Sequence, residues 1–459
     1  MNHAVLAPKA AAVKPRLSVM MFLQYAIWGA WLPLLWPFLS NVRGMTDDQI
    51  GHMFAVGAVG AIVSPFIAGQ IADRYFNTEK FLGISHILGG LLVWQLASID
   101  TYTGFLAFSL LYSLIYSPTL SLTNSLAFHH LDDRDRDFGK VRLWGTVGWI
   151  VVGITIGQWL LRTHTPAEEL VDGIVVNAEA IASAQYAGMA DAFRLSAVLG
   201  VVMGIFCFTL PKTPPARNQE QNAAFEAIGE VRKQPLLTLF LIAVPVSCIH
   251  QFYFVHTAGY LGEFQSGAAD WLNSIFGVGG AGLMTIGQMS ELLVLAAIPL
   301  VAKTVSRKGL LGIGLVAYAL RMLLFMNGEA WGTGAVIVGI ALHGLCFGCF
   351  IFVAFMIVDE ETTSDVRASA QSLFNLVIIG IGIIVGSLIA GEVAEWARTI
   401  EVIDAVSGLP VLDEEGLPKI DIDYTRLFSV PMWASVACLA ALLFFYPNRS
   451  PRRGDQETA

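Results

Sequence analysis

An all-α, polytopic membrane protein with twelve transmembrane helices in two six-helix bundles is expected of this chain, on three observations. Of its 459 residues 55% are hydrophobic and only 14% charged, and the mean hydropathy is +0.63, more apolar sequence than a soluble core can use. Apolar stretches of about 20 residues, the length that crosses a bilayer, recur about twelve times. Lys and Arg are shared unequally among the segments between those stretches.

The expected spans run near 16–39, 48–71, 80–98, 104–128, 141–161, 191–210, 236–261, 274–302, 309–327, 332–357, 367–394 and 425–446. The first follows Lys9, Lys14 and Arg16 but is long, holds Trp28, Trp31, Pro33 and Pro37, and lacks a small-residue cleavage site. It therefore reads as a retained span rather than a removable leader. With the N-terminus in the cytoplasm, the cytoplasmic segments carry about 20 of the 27 basic residues and the opposite loops about four, a positive-inside pattern that places both termini inside. The net charge of -9 collects in two outside segments, 163–190 with Glu168, Glu169 and Asp172, and 400–424 with Asp413, Glu414 and Glu415. Neither pattern suits nucleic acid. The five cysteines (Cys207, Cys248, Cys346, Cys349, Cys438) all fall within spans and imply no disulfide framework. The CxxC of Cys346 and Cys349 reads as a pair of small packing residues.

The chain divides into an N-terminal bundle, 1–210, a polar linker, 211–235, with Pro214, Pro215, Arg217, Arg232 and Lys233, and a C-terminal bundle, 236–459. Val141-Arg142 opens the fifth span and Val366-Arg367 the eleventh. Two parallel repeats with a midplane site between them is the layout of major facilitator transporters. Pro245 and Gly344 lie inside spans, where they permit bending.

Glu291 sits near the middle of the apolar run 274–302. An ionised side chain at that depth costs about 2.5 kcal/mol or more, so such groups face a polar cavity, are partnered, or are protonated. A carboxylate whose proton affinity changes with burial and with a nearby Arg has the chemistry of proton coupling; a permanently paired structural Glu is the alternative. Polar and aromatic residues recur at helical spacing in other spans. They are Gln24, Trp28 and Trp31 in the first; Arg142, Thr146 and Trp149 in the fifth; His250, Gln251, Tyr253 and Phe254 in the seventh; Gln288 beside Glu291 in the eighth; and His343, Phe347 and Phe350 in the tenth. Amides offer a donor and an acceptor together and aromatic rings offer a stacking face, which suits a nucleoside and also a sugar. Each residue has a structural reading too: Trp28 and Trp31 in an interfacial belt, the glutamines, His250 and His343 bonding between helices, Arg142 snorkelling, Arg321 pairing or reaching headgroups. Rival classes are weaker. His129, His130, Asp132 and Asp133 are crowded at a helix end without an HExxH, phosphate loop or nucleophile elbow, which argues against a membrane-embedded enzyme. The short tail 448–459 carries no signalling domain, and the fifth span lacks the proline of a drug exporter.

Several blocks in order are similar to one family. Phe22-Leu-Gln-Tyr-Ala-Ile-Trp-Gly-Ala-Trp31, Ser117-Pro-Thr-Leu-Ser-Leu-Thr-Asn124, Val141-Arg-Leu-Trp-Gly-Thr-Val-Gly148, Gln288-Met-Ser-Glu291 and Val366-Arg-Ala-Ser-Ala-Gln371 resemble the nucleoside:proton symporters of the major facilitator superfamily over nearly the whole chain. The resemblance implies that Arg142, Thr146, Gln251, Gln288 and Glu291 line a nucleoside site, with Phe347 at an aromatic position. Trp149 stands where a Phe is familiar, Phe254 replaces an Asn, His343 a Tyr, and Gly348 lies where an Asp can occur, so the rings and hydrogen-bonding groups differ from the family pattern. Gly69-Gln-Ile-Ala-Asp73-Arg74 resembles the start of the general major facilitator loop motif, without its basic tail. The expectation is proton-coupled nucleoside uptake by alternating access in the cell inner membrane, by a monomer, with Glu291 carrying the proton and no cofactor; a sugar or other nucleoside-like solute is the alternative cargo.

Overall fold

A computed structural model describes residues 8–67, 76–131, 133–171, 174–214, 229–266, 270–363, 367–403, 408–412 and 416–448. Asp73, Asp132, Asp172, the Asp413–Glu415 run, Val366 and most of the 211–235 segment fall outside them. The described residues place a long helix on every expected span. α1 runs from Pro8–Trp31 through a 3-10 turn, Leu32–Leu34, into Leu35–Arg43, the turn falling where Pro33 withholds a donor. Then come α2 (Asp47–Ile67), α3 (Thr78–Leu96), α4 (Tyr102–His130), α5 (Arg134–Thr163) and α6 (Ala190–Cys207). The second half holds α7 (Leu236–Ser266), α8 (Ala281–Val301), α9 (Arg307–Met326), α10 (Thr333–Glu361), α11 (Arg367–Asn375, Leu376–Gly382 and Ile383–Ala397 in series) and α12 (Tyr424–Phe445).

Ten of the helical segments are long and apolar enough to cross a membrane. The other two are α2 and α3, which start with Asp47-Asp48 and with Glu79. The run 274–302 is not one helix. A short helix, Asp270–Phe276, stops at Gly277, and Gly277, Gly279 and Gly280 all have positive φ, a conformation side-chain-bearing residues avoid, so α8 begins only at Ala281. The break is held by Gln265 of α7, whose Nε2 donates to Gly277 O (2.6 Å) and whose Oε1 accepts from Gly280 N (2.8 Å). α10 and α11 each contain a π-helical stretch, Cys346–Phe352 and Leu376–Gly382, a local widening frequent at functional sites.

The first six helices pack on one another, α1 against α5 and α6, α3 against α4 and α6, α2 against α4; the last six do likewise, α9 against α10 and α12, α7 against α11 and α12, α8 against α10. The two groups meet along two main seams, α2 with α11 and α5 with α8, and again where Leu32–Arg43 packs on α7. Glycines make both seams tight: a Cβ on Gly51 would lie 2.8 Å from Ser387 O, and one on Gly157 2.4 Å from Phe276 O. Val278 N donates to Gly157 O across the second seam (3.1 Å), as does Gln158 Nε2 to Ser274 O (2.8 Å). Across the first, Asp47 is fully buried and receives both Nε (2.5 Å) and Nη2 (2.8 Å) of Arg398. Burial opposes the Arg398 charge, but the Asp47 carboxylate outweighs it and holds the guanidinium above its ordinary pKa. These contacts close the end of the molecule that carries the short hairpins Leu170–Val171/Ile174–Val175 and Arg398–Glu401/Ile420–Ile422.

Candidate functional site

The stripe on α5 survives folding as one half-buried face: Arg142, Thr146 and Trp149 are all partly exposed. The Arg142 guanidinium lies 3.9 Å over the Tyr25 ring instead of snorkelling freely, and its charge acts on Glu291 of α8. Trp149 bridges the halves, edge-on to Trp28 of α1 (6.3 Å between centroids) and to Phe254 of α7 (6.2 Å). Gly29 permits this, because a Cβ there would meet the Trp149 ring at 2.8 Å.

Glu291, its side chain 14% exposed, has Oε2 3.7 Å from Nε2 of His343 on α10. His343 is buried and packed between rings, stacked on Tyr253 (4.6 Å) and His250 (5.4 Å) and edge-on to Phe254 (6.3 Å). Small residues let α10 come this close: a Cβ on Gly287 would touch His343, and one on Gly344 would lie 2.5 Å from Ser290 O. Phe347 is half-buried near His250 (6.4 Å). Gln288 is 5% exposed; its amide reaches the Tyr253 hydroxyl, while among the described residues its Oε1 has no hydrogen-bond partner. The structure thus brings Arg142, Trp149, Phe254, Gln288, Glu291, His343 and Phe347 into one connected group. Thr146 shares the α5 face, one turn from Arg142. Gln251 is tied elsewhere, its Nε2 donating to Ser387 Oγ of α11 at 3.0 Å.

Other expectations change. Gln24 and Trp31 are buried inside the first six helices rather than facing the shared space, leaving Trp28 as the α1 residue that reaches it. Phe350 is fully buried against Gly314 of α9. Arg321 reaches no headgroup: it is wholly buried, donates from Nη1 to His343 Nδ1 (3.0 Å), and lies over the rings of Tyr253 (4.4 Å) and Tyr318 (5.3 Å). His250, bonded to the Tyr318 hydroxyl at 2.7 Å, links α7 to α9. Arg321 thus takes the pairing alternative, and Tyr318 is the residue sequence reasoning missed; the charge within the apolar run 309–327 was legible, but its partner lies on the next span. At the far end of α4, His130 Nε2 is hydrogen-bonded to Thr213 Oγ1 (2.8 Å), and among the described residues no three His, Cys, Asp or Glu side chains are grouped to hold a metal.

Two packed helix groups with polar and aromatic side chains converging between them have the build of a membrane transporter. The nucleoside H+ symporter family profile matches residues 11–451, and the chain belongs to that family. It is 33% identical to YegT of Escherichia coli K12, named for nucleoside transport, over 83% of this chain and 84% of that protein. It is 26% identical to the xanthosine permease of the same organism, over 84% and 88%. Among solved structures, the nucleoside transporter NupG superposes with a TM-score of 0.75 at 23% identity, covering 95% of this chain and 99% of that one, and a bacterial homologue of the lysosomal transporter Spinster with 0.64 at 14% identity, covering 95% of each. Both share the fold.

Proposed function

We propose that this protein takes up nucleosides across the cytoplasmic membrane together with protons, working as a monomer with both termini in the cytoplasm. Residues 1–210 and 236–459 are the units that rock, and 211–235 links them. The observation that carries the reading is Glu291 itself: a partly exposed carboxylate on the inner face of α8, with Arg142 across the gap and a buried imidazole behind it. Arg142, Thr146, Trp149, Phe254, Gln288, His343 and Phe347 surround the solute, rings stacking on the base and amide and guanidinium serving its polar edges. Gln251 supports the site from its bond to Ser387. The proton on Glu291 is the coupling ion, and no other cofactor takes part.

The hairpin end is shut by the Asp47–Arg398 pair and the glycine contacts of both seams, so the site is loaded after those contacts part and emptied while they hold. The test is uptake of radiolabelled uridine and adenosine into proteoliposomes under an imposed inward proton gradient. Uphill uptake abolished by a protonophore is the expected result. Absence of uptake of either, in vesicles where the protein is folded, would move the cargo to a sugar or another solute.

A further inference from the structure

Arg321 poses a problem that the transport cycle has not used. It is a permanent cation with no exposed surface, and among the described residues its Nε and Nη2 have no hydrogen-bond partner and no carboxylate lies within ion-pairing distance of it. Nη1 donates to His343 Nδ1, at 3.0 Å. A guanidinium can only donate, so Nδ1 must hold a lone pair, and a neutral imidazole then carries its proton on Nε2. Nε2 is the atom that faces Glu291 Oε2, at 3.7 Å.

We propose that Arg321 is a positioning residue for proton coupling: through His343 it holds an N–H donor against Oε2 of Glu291, so that this oxygen is reserved for accepting and a coupling proton is placed on the oxygen that faces the solute. The inference rests on the proton-coupling role given to Glu291 above. At 3.7 Å His343 Nε2–H stands just beyond hydrogen-bond length from Oε2 and closes on it when the carboxylate is ionised; Arg321 then finds its countercharge one imidazole away. When a proton from water reaches Glu291, an O–H directed at His343 would meet another N–H. The proton therefore resides on the other oxygen, where it is donated to an acceptor atom of the bound solute. On the return to water at the opposite face the same proton leaves, and His343 neither gains nor loses one.

The groups that face this relay are few. α9 supplies Arg321 and Tyr318, α7 supplies His250 and Tyr253, α10 adds Cys346 next to His343, and Arg142 of α5 acts on Glu291 from the other side. His250 Nδ1 is occupied by the Tyr318 hydroxyl, so it does not compete for His343 Nδ1. Tyr253 offers its ring to both Arg321 and His343. Arg142 remains in every Arg321 variant and sets a constant background.

Without the Arg321 donor, His343 can carry its proton on Nδ1 and accept from a protonated Glu291 through Nε2. The protonated acid is then favoured and persists to higher pH. Proton-driven uridine uptake by proteoliposomes of Arg321→Met, normalised to the same variant's counterflow, should keep its shape against external pH with the alkaline midpoint moved up by about one unit, while Arg321→Lys, which retains a cationic donor, should stay nearer the parent. Nitrogen-15 NMR of the parent, with His343 assigned by its absence in His343→Gln, should show Nδ1 unprotonated and Nε2 protonated. An Arg321→Met midpoint equal to the parent's, or a parent His343 protonated on Nδ1, would overturn the relay; the NMR result stands even where Arg321→Met does not fold. A Glu291→Gln protein that still accumulates uridine uphill would instead refute proton coupling at Glu291 itself, a distinct failure.

Discussion

Each half of this protein buries a polar network built around a glutamine, and the two are satisfied to different degrees. In the first half, Gln24 is fully used: Nε2 donates to Thr119 Oγ1 (2.9 Å), Oε1 meets His86 Nε2 (2.9 Å), and its backbone carbonyl accepts from the Tyr116 hydroxyl (2.5 Å). Thr119 in turn donates to Tyr116 O (2.6 Å). In the second half, Gln288 Oε1 and two nitrogens of Arg321 have no partner among the described residues, and Glu291 faces the gap between the halves. Buried polar groups ordinarily find partners because an unmade bond costs about 1–3 kcal/mol. A closed network therefore works as glue between helices, whereas an open one holds capacity for something that comes and goes. The same residue type serves both ends, and only its neighbours distinguish them.

That contrast can be broken most forcefully at Glu291. Glu291→Gln keeps the shape and removes the titrating group, so proton-driven accumulation should be lost while counterflow exchange of solute, which needs no net proton movement, persists; accumulation at the parent level would end the distinction. The next largest effect is expected at the closed network. Gln24→Ala strips partners from His86 and Thr119 together and should lower stability by about 1–3 kcal/mol, read as an earlier thermal unfolding in detergent, with little change in solute affinity among the molecules that remain folded. Gln288→Ala should do the reverse. Its carbonyl has no bond to lose and its amide only the contact with the Tyr253 hydroxyl, so unfolding should move less than at Gln24, but uridine affinity should fall about tenfold, the equivalent of one hydrogen bond of roughly 1.4 kcal/mol to the solute. A smaller effect is expected for Thr119→Val, which removes one hydroxyl from the closed network while Gln24 keeps its His86 contact, and should cost about 1 kcal/mol with transport unaltered. Equal stability losses at Gln24 and Gln288 would erase the contrast.

The pattern of apolar runs and basic loops determined a great deal without coordinates. Span length is dictated by bilayer thickness, and a carboxylate placed amid apolar residues is costly wherever the chain goes, so the helices and Glu291 were legible from composition and position alone. Helical spacing likewise set Arg142, Thr146 and Trp149 on one face, because a 3.6-residue period is a local property. Where a face points is not local. The stripe of Gln24, Trp28 and Trp31 has the same spacing, yet packing of α1 against α4 and α6 turned Gln24 and Trp31 inward and left Trp28 alone toward Trp149. Only tertiary structure could split the apolar run 274–302 at its glycines, bind Gln251 to Ser387, and decide which buried polar groups find partners. Arg321 shows why most sharply: its charge is plain in the sequence, but whether a buried cation is idle, paired or coupled depends on which imidazole the next helix brings to it, and helix against helix packing is settled across the whole fold.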